Sequence, residues 1–160
     1  MKEKIDWNGK IYETEWVDSE KIPNLKNVTQ VYGFLFDRKN KLCIVNPKRD
    51  WRLPGGKPEK GENWKDTLVR ESEEEADVEL EENSLKLIGY LKISPISKNC
   101  EKGIHYQLRA IGKIKKVNKQ TIDIAENLIS ERKFIEPKDF LEYCKWGKLG
   151  EIQIKKAITS

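Results

Sequence analysis

The stretch from Gly56 to Val78 constrains this chain more than any other. Between Glu59 and Glu82 the chain holds 11 acidic and 3 basic residues, a local charge of −8 against a net charge of +4. Residues 63–76 read as a helix. At helical spacing Glu71, Glu74 and Glu75 (i, i+3, i+4) share an arc of about 100°, whereas Glu73 points to another side. Val69, Ser72 and Ala76 make the adjoining small or apolar face, expected to pack on a sheet. Like charges one turn apart destabilise a helix by a few tenths of a kcal/mol. A divalent cation held by converging hard oxygens would offset that repulsion. A solvated, Glu-rich surface would also account for the carboxylates.

Gly56 and Gly61 have the separation of a phosphate-binding P-loop. That reading fails where Lys then Ser or Thr should follow, because Glu62 and Asn63 stand there. A carboxylate at that point would repel phosphate.

Around this segment the pattern predicts strands with flanking helices. Trp7–Val17 alternates by two and contains the turn signal Asn8-Gly9. Val28–Asp37 and Lys41–Val45 read as a hairpin across Arg38-Lys39-Asn40. Trp51-Arg52-Leu53 is a short extended piece ended by Pro54. Leu85–Ser94 and Ile104–Val117 read as long strands with Gly89 and Gly112 as bulges, and Lys133–Ile135 as a short one. Pro137 fits the first turn of a helix carrying Phe140, Leu141 and Cys144. A last helix covers Gly150–Ala157. No repeat or linker divides the 160 residues, so one mixed α/β domain over 1–160 is expected, with 1–27 as an N-terminal hairpin extension.

Composition excludes several function classes. The 3 cysteines (Cys43, Cys100, Cys144) form no C-x-x-C pair, which argues against a disulfide framework and for a reducing compartment. The single histidine, His105, rules out a His-rich zinc site. The start has no apolar signal-peptide core, and no apolar run approaches membrane length. A cytoplasmic protein is expected, with no membrane partner. The small net charge gives no nucleic-acid signal.

Gly56, Glu62 and Arg70-Glu71-Ser72-Glu73-Glu74-Glu75-Ala76-Asp77-Val78 closely resemble the Nudix box, G-x5-E-x7-R-E-U-x-E-E-x-G-U, with U a bulky aliphatic residue. The lead-in Trp51-Arg52-Leu53-Pro54-Gly55-Gly56 is also similar to that of the family. Two positions depart. Ser72 replaces an aliphatic residue, which should weaken helix packing slightly. Asp77 replaces a glycine that commonly closes the helix in a left-handed conformation, which Asp tolerates better than most residues.

The resemblance implies an α/β/α sandwich around a mixed β-sheet. It also implies a magnesium- or manganese-dependent hydrolase of a nucleoside diphosphate linked to another group. Glu71, Glu74 and Glu75 would hold the metal with the Gly56 carbonyl, and Arg70 with Glu62 would brace the loop on the helix. Trp51, Arg52, Gly55 and Gly56 would contact substrate. Glu101, Glu126 and Glu131 are the candidates for an extra base or ligand outside the box, and His105 is a further option that reads more simply as structural. Ser94-Pro95-Ile96-Ser97 through Glu101 to Ala110 loosely resembles the ADP-ribose pyrophosphatase branch but lacks its glycine, so nucleoside triphosphates stay equally open. Trp16, Trp51, Trp64 and Tyr106 are the aromatic candidates for stacking on a base. Pairing of the N-terminal hairpin with a second subunit would give a C2 homodimer. A non-catalytic nucleotide sensor and a diphosphate isomerase are the rival readings, although every metal-ligand glutamate of the box is kept.

Overall fold

In the computed structural model, which describes residues 1–23, 25–121 and 130–160, Asn8 and Gly9 have φ of 54° and 79°. That left-handed pair matches the twist of a two-residue hairpin. The strands are β1 (Lys2–Trp7), β2 (Lys10–Val17), β3 (Val28–Phe36), β4 (Leu42–Asn46), β5 (Gly55–Gly56), β6 (Val78–Leu80), β7 (Lys86–Pro95), β8 (His105–Val117) and β9 (Glu131–Ile135). The helices are α1 (Trp64–Ala76), α2 (Phe140–Tyr143) and α3 (Gly147–Thr159).

Neighbouring strands run β1-β2-β7-β8-β3-β4-β9, with β5 added to β3 and β6 to β8. Only β3 and β8 pair in parallel among these, so the sheet is mixed, as expected. The N-terminal hairpin belongs to it, because β2 pairs with β7 from Tyr12↔Pro95 to Val17↔Tyr90. Strand β1 is left as the outer edge.

The sheet separates two cores. On β4, Leu42 and Ile44 join Phe140, Leu149 and Ile154 on the α2/α3 side. Cys43 and Val45 join Leu68 and Ala76 on the α1 side. This period-2 alternation with both faces buried yields the α/β/α sandwich. Full burial of each large apolar side chain contributes about 1.5–3 kcal/mol relative to exposure.

One departure from the expected topology positions the site. The β3–β4 hairpin closes only at Phe36↔Leu42. Further along, β4 leaves β3, and Val45 and Arg52 exchange backbone hydrogen bonds of 2.9 Å, while β9 pairs with the other edge along the whole of β4. The freed edge of β3 takes up Pro54-Gly55-Gly56 instead, through Tyr32↔Gly55 and Val31↔Gly56. Gly55 has φ 147°, and a Cβ there would overlap the Val31 carbonyl. Glycine is required at that approach.

Helix α1 opens with a reciprocal cap. Asn63 Oδ1 accepts from the Asp66 backbone N–H at 3.0 Å, and Asp66 Oδ2 accepts from the Asn63 N–H at 3.0 Å. At the other end Asp77 sits at φ 50°, ψ 44°, the left-handed closure expected there. Its carboxylate accepts from the Thr121 backbone N–H at 2.8 Å and hydroxyl at 2.9 Å. Ser72 is fully buried, and its hydroxyl donates to Leu68 O at 2.6 Å. The buried stripe is Thr67, Leu68, Ser72, Glu75 and Ala76. Val69 lies at the margin of that core rather than within it.

Other expectations divide. Gly89 is at a bulge, where the β7–β8 register jumps between Leu87 and Gly89. Gly112 is not, since it pairs with Leu35 in an unbroken ladder. It serves a close approach, because a Cβ there would run into Leu85. Helix α3 begins at Gly147, earlier than expected, and Pro137 opens a 3-10 turn that leads into α2. Among the described residues no helix is long and apolar enough to cross a membrane.

Candidate active site

The insertion of Gly56 into the β3 edge brings the loop backbone beneath α1. A Cβ on Gly56 would overlap the Glu71 carboxylate, so the missing side chain is a notch that this carboxylate occupies. Glu71 keeps 15% of its side chain exposed and Glu75 only 7%.

Arg70 organises the upper part of the site. Its Nε and Nη2 donate to the two oxygens of Glu62 at 2.6 and 3.1 Å, the bidentate geometry in which a guanidinium binds a carboxylate most strongly. Its Nη1 donates to Glu71 at 2.9 Å and Glu74 at 3.2 Å, and Nη2 also reaches Lys57 O at 3.1 Å. Glu62 further accepts from the Thr67 hydroxyl and the Glu59 N–H, each at 2.9 Å. Arg70 and Glu62 thus pair across the loop and the helix. Hydrogen bonds from Arg70 hold the Glu62 carboxyl down at about 2.

Glu75 has the opposite environment. Burial pushes its carboxyl well above the ordinary range; Arg52 opposes that shift, and the neighbouring Glu71 charge adds to it. Arg52 Nη2 donates to Glu75 at 3.0 Å and Nη1 to the Tyr32 hydroxyl at 3.2 Å. The Arg52 Nε is buried with no acceptor among the described residues.

Glu71, Glu74, Glu75, Arg70, Glu62, Arg52 and Gly56 are therefore gathered on one face. Among the described residues no three Asp, Glu, His or Cys side chains form a ready cation cage, and Arg70 Nη1 instead lies between Glu71 and Glu74. The available donors are all hard carboxylate and carbonyl oxygens, with Glu71 in the Gly56 notch and its charge acting on the Glu75 carboxyl. That donor set fits a hard divalent cation.

The remaining candidates are dispersed. Glu101 pairs with Lys10 near the tip of the N-terminal hairpin. Glu131 is exposed at the start of β9, opposite Asn46, and the adjacent Arg132 donates to Ala76 O at 2.7 Å. Glu126 lies outside the described residues. His105 is buried, with Nδ1 2.9 Å from Gly103 O, which is a structural role.

Trp16 is buried against Gly89 and Tyr106 packs edge-on against Tyr90. Trp64 carries Lys65 over its ring. Trp51 instead meets Tyr143 edge-on at 5.9 Å. Sequence reasoning missed Tyr32 and Arg109. Arg109 is wholly buried between the rings of Tyr32 and Trp146, at 5.0 and 5.1 Å from their centres. Their alternation on β3 and β8 was readable, but their convergence depends on the parallel pairing of those strands.

A comparison with curated proteins finds no match. The fold is shared with solved structures. A point mutant of the Bacillus subtilis pyrophosphohydrolase BsRppH aligns over 98% of this chain and 96% of its own, at 18% identity and TM-score 0.72. The E. coli dihydroneopterin triphosphate pyrophosphohydrolase aligns over 82% and 96%, at 14% identity and TM-score 0.58. The C. elegans Ap4A hydrolase aligns over 83% and 98%, at 14% identity and TM-score 0.54. The NUDIX domain family model matches residues 26–153. That span includes the glycine notch, the Arg70–Glu62 pair and the whole of α1, and the chain belongs to the Nudix family of hydrolases.

Proposed function

We propose that the protein is a divalent-metal-dependent pyrophosphohydrolase. It would cleave a phosphoanhydride bond in a nucleoside diphosphate linked to a further group, either a nucleoside triphosphate or an ADP-ribose-like nucleotide sugar. The observation that carries this reading is the Glu71 carboxylate lodged in the side-chain-free notch of Gly56, beside the buried Glu75.

Glu71, Glu74 and Glu75, with the Gly56 carbonyl, would hold magnesium or manganese. When bound, such an ion stabilises charge developing on the leaving phosphate and lowers the pKa of a water molecule. The chain's own contribution is positional. The Arg70–Glu62 clamp fixes loop 57–62 on α1, so the notch keeps its shape. Arg52 holds Glu75 in place, and its unpartnered N–H is suited to a phosphate oxygen. Among carboxylates outside the box, Glu101 is engaged by Lys10, whereas the neighbour of Glu131 bonds the end of α1. Successive side chains on a strand alternate, so Glu131 lies on the face of β9 opposite Arg132, and neither described candidate is directed at the acidic face of α1.

The test is a panel of nucleoside triphosphates and nucleotide sugars assayed with magnesium or manganese. Expected products are a monophosphate with pyrophosphate, or two monophosphates, and EDTA should abolish turnover. Metal should also stabilise the protein, by about 2.7 kcal/mol at 100 times its dissociation constant. Full activity in excess chelator, or no hydrolysis across the panel, would overturn the assignment.

A further inference from the structure

Resting on that reading, we propose that the half-open hollow whose aromatic walls are Trp51, Tyr143 and Trp146 is the site that receives the base of the nucleotide. The hollow has a volume of about 550 Å³, within the range of small-molecule sites. Its aromatic walls come from three separate places: the segment before β5, the end of α2 and the residue before α3. All three rings are only half-buried, so each keeps apolar surface in water that a flat aromatic ligand would cover.

The walls are stiffened from behind. Lys133 Nζ lies 5.2 Å from the Trp51 ring centre and 5.3 Å from that of Tyr143. Trp146 is backed by the buried Arg109 guanidinium and meets Phe140 edge-on at 5.5 Å. Arg109 is itself fixed by Gln153 Oε1 at 2.7 Å and Leu108 O at 3.1 Å. A preformed hollow with fixed aromatic faces loses little freedom on binding, which favours rigid, planar ligands. Asp50 and Lys145 at its rim offer the acceptor and donor that a base edge requires.

Position selects a nucleotide base over an unrelated aromatic compound. Trp51 directly precedes Arg52, the residue that reaches Glu75. Tyr32, whose hydroxyl accepts from Arg52, packs edge-on against Trp146 at 6.2 Å. The hollow and the acidic face are thus joined through one arginine and one tyrosine. A base in the hollow leaves its phosphates running past Arg52 toward Glu71 and Glu75.

The probes are AMP, GMP, CMP and ribose 5-phosphate, titrated into the full chain with magnesium by NMR, with the Trp51 and Trp146 indole signals followed. Mononucleotides should shift those two indoles. Tyr143→Ala should weaken mononucleotide binding about tenfold or more, the loss typical of one stacking surface. Binding of ribose 5-phosphate should change less than about threefold, and Tyr143→Phe should restore the parent affinity. Trp51→Leu provides a second variant with the same expectation, should Tyr143→Ala fail to fold. The proposal is overturned if none of the mononucleotides binds, if the Tyr143→Ala affinities stay at the parent values, or if ribose 5-phosphate is weakened equally. Because the readout is binding, it separates the two readings. A chain that binds bases here without hydrolysing any nucleotide keeps this site and loses the proposed activity. A chain that hydrolyses nucleotides with KM unchanged in Tyr143→Ala does the reverse.

Discussion

Arg52 and Glu75 are joined by one hydrogen bond of 3.0 Å, and it is too little to balance the burial of the carboxylate. Glu75 keeps 7% of its side chain exposed and Arg52 33%. The acid stands in the buried stripe of α1, next to Ser72 and Ala76, where an aliphatic residue would satisfy packing better. A carboxylate retained there, with Glu71 beside it, is suited to a stronger positive charge than one partly solvated guanidinium provides.

That imbalance has a pH signature in metal-free protein. The folded-state pKa of Glu75 lies above its ordinary value of 4.5, so the folded chain holds that proton longer than the unfolded one. The associated stability is complete below the ordinary value and is lost as pH rises through the raised value. Arg52→Gln removes the one interaction that lowers the pKa and should steepen the loss. We expect a penalty of about 1–3 kcal/mol on the alkaline side, less on the acid side, reduced from the fully buried range because Arg52 is partly solvated. Melting temperatures in EDTA from about pH 5 to about pH 9 would measure it, and a penalty independent of pH would refute it.

Glu62 titrates with the opposite sign. Arg70 depresses its folded-state pKa from 4.5 to about 2. The linked stability is present above 4.5 and disappears as pH falls toward the depressed value. Glu62→Gln should therefore destabilise the protein near neutrality yet approach the parent at about pH 2. Urea midpoints at the two pH values provide the check, and parallel pH curves for parent and variant would count against the clamp.

The parts of the fold legible in the sequence are those decided within a few residues. Asn8-Gly9 specifies its own turn, Asn63 and Asp66 cap each other, and Asp77 occupies its left-handed position for a local steric reason. The divergence of β4 from β3 was not legible, because it depends on Arg52 taking the edge of β4 that β3 leaves, while β9 holds the other edge. Nor was the burial of Glu75. Helical spacing placed it with Glu71 and Glu74, but in the fold it belongs to the buried stripe with Ser72 and Ala76. The Tyr32–Arg109–Trp146 stack requires β3, β8 and the start of α3 to meet, and no short-range pattern encodes that.

Asp77 carries two separable contributions, conformation and anchoring. At φ 50° an Ala residue is strained by about 1–2 kcal/mol, whereas glycine is not. Both substitutions delete the hydrogen bonds to Thr121. Asp77→Ala should thus be less stable than Asp77→Gly by about 1 kcal/mol, and chemical denaturation of the two variants isolates that difference from the shared loss. Equal stability of the two would mean that the backbone relaxes out of the left-handed region when the carboxylate is removed.

Glu73 and Glu74 provide the sharpest comparison, being adjacent, identical in charge and both exposed on α1. Only Glu74 turns toward Arg70 Nη1, which it meets at 3.2 Å beside Glu71. Glutamine at either position removes one negative charge at nearly constant volume, so the overall field changes equally. If Glu74 acts as a ligand in turnover, Glu74→Gln should lower kcat about a hundredfold, equivalent to about 2.7 kcal/mol of transition-state stabilisation. Glu73→Gln should stay within a few-fold of the parent. Relief of repulsion between Glu71 and Glu74 would stabilise the metal-free Glu74→Gln variant by a few tenths of a kcal/mol. Loss of the Arg70 ion pair offsets this by a similar amount. Melting temperature in EDTA should therefore barely move while kcat falls. Equal kinetic losses in the two variants would reduce α1 to an acidic surface and remove Glu74 from the site.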